Sequence, residues 1–358
     1  YNTKIMNPFK FGTIVDGAFF TDREKEQQII THHLDSENHL ILISPRRYGK
    51  SSLIHRVLNT IDRPHIVINL QQALNVQNLA EIILKAIFEL YPVEKIRHLL
   101  THFRIFPTIS TNAVLGTMEV SFMPATNETV IFEDVIALLE KVSTQERRLV
   151  VVLDEFQEIL SIGKGVDKQL RALLQRQHGL NYIFLGSQES MMEEIFEKKK
   201  SPFYHFGQIM HLGKIPYDDF LTYIQSRLPN NNSDTSIHIA EEILSFTQCH
   251  PYYTQQLASQ VWEMMEYNHI TDNVVSQAVE NLIRLHDLDF ERIWLNQNRT
   301  DRATLKRLAT NTPANHIQQP PSTIQSSLKR LLQNGYIIKT DAYSVEDPFF
   351  NRWIKANV

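Results

Sequence analysis

Residues 44–51 combine the residue types that bind phosphate groups in proteins. They read Ser-Pro-Arg-Arg-Tyr-Gly-Lys-Ser and match the pattern G-x-x-x-x-G-K-[ST] except for the serine at its first position. In that pattern, main-chain N–H groups and a helix N-terminus hold phosphate oxygens, the lysine adds a positive charge, and the hydroxyl holds Mg²⁺. Phosphate or nucleotide binding is therefore assigned to Arg47, Tyr48, Gly49, Lys50, Ser51 and Ser52, with Ser51 also a metal ligand.

The missing glycine alters the start of this loop. A bare G-K-[ST] tripeptide occurs by chance in roughly one chain of this size in five, so its position in the chain matters more than its presence. The loop follows an apolar strand, residues 39–44, and opens an apolar-periodic helix, residues 51–61. Pro45 favours an extended Ser44, and Gly49 stands where a Cβ would most obstruct a phosphate. We interpret the loop as functional with a variant start.

Two carboxylates and one hydroxyl follow other buried-type strands. Asp154 and Glu155 end the stretch "LVVVLDEF" (149–156), and Ser187 lies in "GSQ" (186–188). Because the carboxyl ends of parallel strands share one edge, we expect Asp154 to share a metal ion with Ser51. Glu155 would orient or deprotonate an attacking water, and Lys50 and Ser187 complete the catalytic candidates. The alternatives are an acidic turn and, for Ser187, a helix N-cap.

Short apolar strands alternate with amphipathic helices over residues 39–213, which predicts an α/β core with a parallel sheet and helices on both faces. The predicted strands are 39–44, 65–70, 149–154, 181–186 and 208–213, and the predicted helices lie near 50–60, 77–91, 130–143, 166–178 and 189–199. We assign residues 28–215 to this core, with an insertion at about 92–128. Within it, residues 113–124 predict a surface hairpin next to Gly116, either a decoration or a partner-docking element.

Beyond Pro216 the pattern is helical, which predicts a helical lid over residues 216–295. Its helices are expected at 217–228, 235–247, 251–268 and 271–287. Residues 296–358 then predict a winged helix-turn-helix, from helices 303–310 and 322–334, a turn with Pro313, and strands 336–340 and 342–347. Pro320 and Pro321 precede the last helix, Ser322 is expected to cap it, and Gly335 to end it.

The overall composition indicates a globular protein and is compatible with a reducing compartment. The 358 residues are 42% hydrophobic and 21% charged, and their net charge of -4 argues against coating nucleic acid non-specifically. A single cysteine, Cys249, excludes internal disulfides and cysteine-rich zinc sites. Apolar runs such as 149–153 are much shorter than the ~20 residues that span a bilayer, and no leader-like segment opens the sequence. We expect a cytoplasmic protein without membrane contact.

The loop "PRRYGKSS" and the strands ending in "DE" and "GSQ" together resemble P-loop ATPases of the AAA+/STAND division. The loop is similar to the PRR-x-GK[ST]S loops of one archaeal and bacterial ATPase group, and the similarity covers nearly the whole chain. The resemblance implies ATP or ADP and Mg²⁺ as cofactors. It also implies that an N-terminal segment, residues 1–27, packs near adenine through Ile14, Val15 and Phe20. A hydrophobic staple explains these side chains equally well.

The stretch "CHPYYTQQLA" (249–258) resembles the group's Gly-x-Pro motif at the start of a lid helix. The resemblance implies that His250 and Pro251 contact nucleotide, although proline in a first helical turn is also ordinary architecture. Cys249 replaces the usual glycine, so we expect the backbone there to be held differently.

Relatives often carry an arginine just before the last core strand, and "SPFYHFGQ" (201–208) has none. Such an arginine is worth about 10³–10⁵ in turnover, so we predict slow basal hydrolysis, on the order of 10⁻² s⁻¹ or below. Arg171 and Arg176 are candidate substitutes, with solvated helix charges as the alternative.

The last helix has a polar face that could read DNA. Ile324, Leu328, Leu331 and Leu332 form its expected buried stripe, while Gln325, Lys329 and Gln333 share the opposite face near Ser326. Residues 300–358 carry a net charge of +4 and the remainder -8. This permits DNA binding without requiring it, because tight binders neutralise about 6–10 phosphates. Packing on the ATPase core or on a protein partner is the alternative.

These observations predict a slowly hydrolysing ATPase that acts as a nucleotide-dependent switch for an unknown protein client, with oligomerisation left open. One alternative is an ATP-binding, DNA-binding regulator in which hydrolysis is incidental. Another is a protein scaffold that no longer binds nucleotide, which would require an empty loop.

Overall fold

The computed structural model describes residues 6–112, 117–122, 127–229, 234–269, 272–312 and 320–358. Its contacts divide the chain into two compact units. The sheet unit comprises Glu24–Ser44 and Leu53–Leu212, and the helical unit comprises the described part of Tyr1–Arg23 with Pro45–Ser52 and Gly213–Val358. Residues 45–52 thus group with the helical unit, although they connect two elements of the sheet unit. The predicted domain boundaries after residues 27, 215 and 295 stay predictions.

The sheet unit is built on a five-stranded parallel sheet. Its strands, including a separate hairpin, are β1 (Leu40–Ile43), β2 (His65–Asn69), β3 (Thr108–Asn112), β4 (Thr117–Ser121), β5 (Val150–Asp154), β6 (Asn181–Gly186) and β7 (Gln208–His211). The spatial order is β2-β5-β6-β1-β7, and every neighbouring pair is parallel. The inner strands are continuous apolar runs because helices cover both of their faces. The predicted α/β fold class is confirmed.

The described residues of this unit form, wholly or mainly, eight helices: α1 (Glu24–Asp35), α2 (Lys50–Thr60), α3 (Val76–Leu90), α4 (Val93–Leu100), α5 (Glu128–Val142), α6 (Ile159–Ile162), α7 (Val166–Leu174) and α8 (Glu189–Phe196). Asn75 and Asn127 cap α3 and α5 by accepting hydrogen bonds from Asn78 N and Val130 N. The five predicted helices correspond to α2, α3, α5, α7 and α8. The sequence pattern missed α1, α4 and α6.

The insertion differs from its prediction. The second strand of its hairpin, β4, lies in the predicted stretch, but the first is β3, upstream of residue 113, with Thr108 opposite Ser121. Gly116 and residues 123–124 lie outside the described residues. Phe122, directly after β4, is buried in the main core, and its N–H donates to Glu81 Oε1 (3.4 Å). The hairpin therefore packs against α3 instead of standing on the surface.

The helical unit contains α9 (Tyr217–Gln225), α10 (Asp234–Thr247), α11 (Pro251–Asn268), α12 (Val274–Leu285), α13 (Asp287–Asn296), α14 (Arg299–Thr310), α15 (Pro321–Gln333) and α16 (Pro348–Asn357). A short antiparallel pair, β8 (Ile337–Lys339) and β9 (Tyr343–Val345), completes it. One apolar core joins α11 to the C-terminal elements, since Leu257 and Val261 belong to the same cluster as Leu305, Leu331 and Trp353.

The C-terminal elements follow the predicted order, with α13 and α16 in addition. The predicted cap is wrong, because α15 begins at Pro321 without a side-chain cap and Ser322 lies in its first turn. Proline is compatible with that turn because its missing N–H would have no helical partner there. Gly335 follows the helix with φ +73°, as expected of a residue that ends it. Pro313 lies outside the described residues. No helix in the described ranges is long and apolar enough to cross a membrane.

Candidate functional site

The loop of residues 45–49 joins β1 to α2. Ser44 is fully buried and its N–H donates to Gly186 O (3.3 Å), which extends the pairing of β1 with β6 by one residue. Helix α2 begins at Lys50. Directly before it, Gly49 has φ +89°, and a Cβ built there would meet no atom within 4 Å. Glycine is favoured at this position because the backbone is left-handed, and not because neighbouring atoms would clash with a side chain. Without a side chain, the space above Gly49 also stays open.

The lysine and two serines at the start of α2 differ in exposure. Lys50 is 6% exposed, and its Nζ donates to Pro45 O (3.2 Å), so the ammonium lies over the first residue of the loop. Ser51 is exposed, whereas Ser52 is buried and its Oγ accepts a hydrogen bond from Val15 N (2.9 Å). Two residues that the sequence analysis assigned separately, Val15 and Ser52, are therefore in direct contact.

The N-terminal segment is fixed to α9 and α11. Asn7 Nδ2 donates to Ser259 O (3.1 Å) and Oγ (2.8 Å) of α11, and Tyr223 of α9 donates to Phe19 O (2.9 Å). Ile14 remains 49% exposed. A staple role would bury that side chain, so the hydrophobic-staple interpretation does not fit Ile14.

Five side chains form a closed ring that includes the loop, and we call it the loop–lid ring: Arg47, Tyr48, His250, Tyr253 and Glu346. Arg47 Nη1 donates to the Tyr253 hydroxyl (3.2 Å), which donates to Glu346 Oε2 (2.8 Å). Glu346 Oε1 lies 3.0 Å from His250 Nε2, and the His250 ring packs edge-on against Tyr48 at 4.8 Å. The guanidinium of Arg47 also stacks on Tyr252, 4.5 Å from the ring centre. Loop, lid helix and C-terminal hairpin are thus joined by polar contacts.

The hydrogen bonds of His250 define its tautomer. Its Nδ1 accepts a hydrogen bond from Tyr252 N (3.2 Å) and so caps α11. A nitrogen that accepts cannot carry the proton, so the Nε2–H donates to Glu346. Pro251 occupies the first turn of α11. Cys249 has φ +58°, the left-handed conformation that glycine adopts without strain, so the replacement keeps a glycine-like backbone at a cost of about 1–2 kcal/mol.

The C-terminal end of β5 carries the predicted carboxylates. Asp154 Oδ1 accepts a hydrogen bond from Glu155 N (2.9 Å). Glu155 has φ +51°, a left-handed conformation that costs a non-glycine residue about 1–3 kcal/mol and is frequent at functional sites. Its Oε2 accepts two hydrogen bonds, from Ser187 Oγ (2.6 Å) and from Gln157 Nε2 (2.5 Å). The sheet thus brings together Glu155 and Ser187, which the sequence assigned separately to catalysis.

Ser187 does not cap a helix, because α8 is preceded by Gln188, which makes no side-chain cap. Gln157 was missed by the sequence analysis, since a polar residue one turn after a strand carries no signal. It is fully buried, and its Nε2 fixes Glu155. Tyr253 and Glu346 of the loop–lid ring were missed for a related reason, because their role depends on contacts between distant parts of the chain.

The two arginines proposed as substitutes lie on or beyond α7. Arg171 stacks on Phe206, 4.3 Å from the ring centre, and Phe206 packs against His39 at 4.8 Å. His39 and Phe206 precede the starts of β1 and β7, so Arg171 lies at the amino-terminal edge of the sheet, opposite Asp154. Burial lowers the pKa of Arg171. Arg176 is exposed, as a solvated helix charge would be.

The predicted polar face of α15 is exposed at Gln325, Ser326, Lys329 and Gln333. Of the expected stripe, Leu331 is fully buried and Ile324, Leu328 and Leu332 are half-buried. An unpredicted polar cluster holds this helix to α14. There Asp301 accepts hydrogen bonds from Arg330 Nη2 (2.7 Å) and Ser327 Oγ (2.5 Å).

Comparison with known proteins places this arrangement in a family. A family described as an ATPase domain predominantly from Archaea matches residues 20–257. Among solved structures, a Walker-type ATPase of Pyrococcus abyssi is 19% identical with a TM-score of 0.65, over 94% of this chain and 96% of that chain. The Aeropyrum pernix ORC2 protein, solved as ADPNP-ADP complexes, is 16% identical with a TM-score of 0.58, over 97% and 96%. No curated protein matches the sequence.

At these identities the solved structures establish a common fold alone, whereas the family match extends over the loop, both carboxylates and the start of the lid helix α11. The protein therefore belongs to the family of ATPase domains found predominantly in Archaea and is a nucleotide-binding ATPase.

Proposed function

We propose that the protein binds Mg·ATP, hydrolyses it slowly and acts as a nucleotide-dependent molecular switch of the AAA+/STAND type. The main-chain N–H groups of residues 47–52 and the N-terminus of α2 would hold the phosphates, with Lys50 adding a positive charge. Ile14 and Val15 would contact the base, and His250 and Pro251 would contact the nucleotide from the start of α11. The open space above Gly49 supports a phosphate there.

The donor groups fit Mg²⁺. The Ser51 hydroxyl and the Asp154 carboxylate are hard oxygen ligands, and Mg²⁺ in nucleotide sites takes one or two such groups besides phosphates and water. No cluster of three or more His, Cys, Asp or Glu side chains suited to a metal occurs among the described residues, so the phosphates would have to supply ligands. Held by Ser51 and Asp154, the ion would supply positive charge against the negative charge that develops on the phosphates.

Glu155 is proposed to position the attacking water and accept its proton. Both donors to this carboxylate act on Oε2, and no hydrogen bond from the described residues reaches Oε1. Fixing one oxygen orients the other, which is what a general base requires. Ser187, which donates to Oε2, is proposed to sense the γ-phosphate and to transmit its loss to Glu155.

The observation that supports a switch is the loop–lid ring. It connects Arg47 and Tyr48 of the phosphate-binding loop to Glu346, directly after β9. A nucleotide can change the conformation of the protein only through contacts that differ between ATP and ADP. Arg47 and Tyr48 are positioned to lose or gain such contacts, and the other three side chains would pass the change to the lid and the C-terminal region.

Slow turnover is part of the proposal. Residues 201–208 contain no arginine, and Arg171 lies at the opposite edge of the sheet from Asp154. Without an arginine at the γ-phosphate, we expect turnover on the order of 10⁻² s⁻¹ or below.

Two substitutions test the proposal. Lys50→Ala should abolish the heat of ATP binding in calorimetric titrations, while Glu155→Gln should retain binding and lower turnover about 10²–10⁴-fold. A Lys50→Ala protein with unchanged ATP affinity would refute the site. Turnover far above 10⁻² s⁻¹ by the purified protein alone would refute the slow switch.

The alternative is a DNA-binding regulator, and the exposed face of α15 favours it. Gln325, Lys329 and Gln333 are all exposed on one side of a helix that is followed by a two-stranded hairpin, the order expected of a winged helix. An electrophoretic shift assay with and without ATP separates the two functions. DNA binding that is lost in Lys329→Ala but unaffected in Glu155→Gln would favour the regulator.

A further inference from the structure

A cavity of about 250 Å³ lies within the helical unit, beside the C-terminal hairpin. Its lining includes three cationic side chains: Lys214, Arg352 and Lys355. The only carboxylate in the lining, Glu346, already accepts hydrogen bonds on both oxygens, from His250 and Tyr253. With His250 neutral, the lining carries a net charge of +2, because Glu346 offsets one of the three positive charges. Arg352 and Lys355 are exposed to solvent, whereas Lys214 is half-buried.

Lys214 is the clearest sign of a missing ligand. It is half-buried, burial lowers its pKa, and within the described ranges its ammonium makes no hydrogen bond and no ion pair. The charge of Glu346 raises this pKa, but from beyond ion-pair distance and by less than burial lowers it. An anion in direct contact would restore the interaction that the ammonium loses with water. An anion in the cavity would also oppose the effect of burial on this pKa.

Asn351 provides an independent second sign. Its side chain lines the same cavity, and its Oδ1 is buried with no hydrogen-bond donor among the described residues. A buried acceptor left unpaired costs about 1–3 kcal/mol, so such groups usually meet a ligand or water. Asn351 and Lys355 lie four residues apart on α16, so they share one face of the helix.

We propose that this cavity binds a small phosphate monoester that carries a hydroxyl group. A phosphate monoester bears a charge of about −1.5 to −2 at neutral pH, which matches the lining. Its oxygens accept from Lys214, Arg352 and Lys355, and its hydroxyl donates to Asn351 Oδ1. The volume lies below the ~300–1,000 Å³ of sites for drug-sized molecules, so the ligand is a small metabolite.

Calorimetric titration with sn-glycerol 3-phosphate tests the proposal. Because the phosphate-binding loop can also take phosphate, the full-length Lys50→Ala protein is used. We expect saturable binding of about one equivalent, weakened about tenfold or more by adding Lys214→Met, which removes a charge-assisted hydrogen bond. The matched control is Lys10→Met, a half-buried lysine of the same unit that does not line the cavity.

A second ligand tests the role of Asn351. Methyl phosphate lacks the hydroxyl and should bind more weakly than glycerol 3-phosphate, and Asn351→Ala should remove this difference. Absence of saturable binding in Lys50→Ala overturns the site, as does equal weakening by Lys214→Met and Lys10→Met. These binding measurements on Lys50→Ala do not depend on ATP binding. Failure of the proposed cavity site and failure of the proposed ATPase function can therefore be told apart.

The cavity shares His250 and Glu346 with the loop–lid ring. We therefore expect saturating glycerol 3-phosphate to change the ATP affinity of the native protein at least about fivefold, by a coupling that Lys214→Met removes. This expectation rests on the proposed function. Unchanged ATP affinity, with binding in the cavity intact, would refute the coupling alone.

Discussion

Asp347 has a half-buried side chain, and ionisation of its carboxylate opposes folding at neutral pH. Burial raises its pKa from 3.8 to about 6, although the N–H groups of Phe350 and Phe349, which it caps at the start of α16, act in the opposite direction. Between these two pH values the folded protein binds more protons at Asp347 than the unfolded chain does. The contribution of this group to stability therefore falls as pH rises from about 4 to 6 and stays low above that.

The magnitude follows from the shift. A difference of about 2 in pKa corresponds to about 3 kcal/mol, taken as an upper limit, at 1.36 kcal/mol for each unit of pKa. Asparagine can keep the cap, because its side-chain oxygen also accepts from backbone N–H groups, but it carries no charge. We therefore expect Asp347→Asn to increase the free energy of unfolding by up to about 3 kcal/mol at pH 7.5 and to have little effect at pH 4.

Urea unfolding followed by tryptophan fluorescence measures this change in the helical unit. All three tryptophans, Trp262, Trp294 and Trp353, belong to the helical unit that contains Asp347. The matched control is Asp341→Asn, which removes an exposed carboxylate between β8 and β9. A gain that is equal at pH 4 and pH 7.5, or a loss at pH 7.5, would contradict the assigned cause.

Three further substitutions probe the site and its support. Gly49→Ala should cost about 1–2 kcal/mol of stability, because φ +89° strains alanine even in open space. It should also lower ATP affinity at least tenfold, and an unchanged affinity in calorimetric titration would contradict this. Ser187→Ala removes a donor to Glu155 and should lower turnover about tenfold at unchanged ADP affinity, so an equal loss of ADP affinity would count against it. Asp301→Ala removes the acceptor of the fully buried Ser327 hydroxyl and should destabilise the helical unit by about 2 kcal/mol in urea unfolding; a change below about 1 kcal/mol would disprove its role.

Much of the sheet unit could be predicted because its signals are local. Strands buried on both faces must be continuous apolar runs, and β1, β5 and β6 lie where such runs occur. The helices α4 and α6 were missed because they are short, and α4 also lies in the stretch interpreted as an insertion. The hairpin was placed too late in the chain because alternation marked only β4, while its partner strand β3 was overlooked.

The candidate site residues could likewise be predicted from short sequence motifs. A Gly-Lys-Ser triplet between a strand and a helix, and two carboxylates after another strand, identify the loop and Asp154–Glu155 without any knowledge of the fold. The order of elements then requires a parallel sheet, since the apolar strands alternate with helices.

Only the tertiary structure decided which side chains are partners. The pairing of Ser187 with Glu155 and the closure of the loop–lid ring through Glu346 both join residues that are far apart in the chain. The sequence pattern specifies which face of an element is apolar, but not which polar group it will meet. That choice depends on strand order, on helix packing and on the left-handed residues Glu155 and Cys249, whose conformation no local preference predicts.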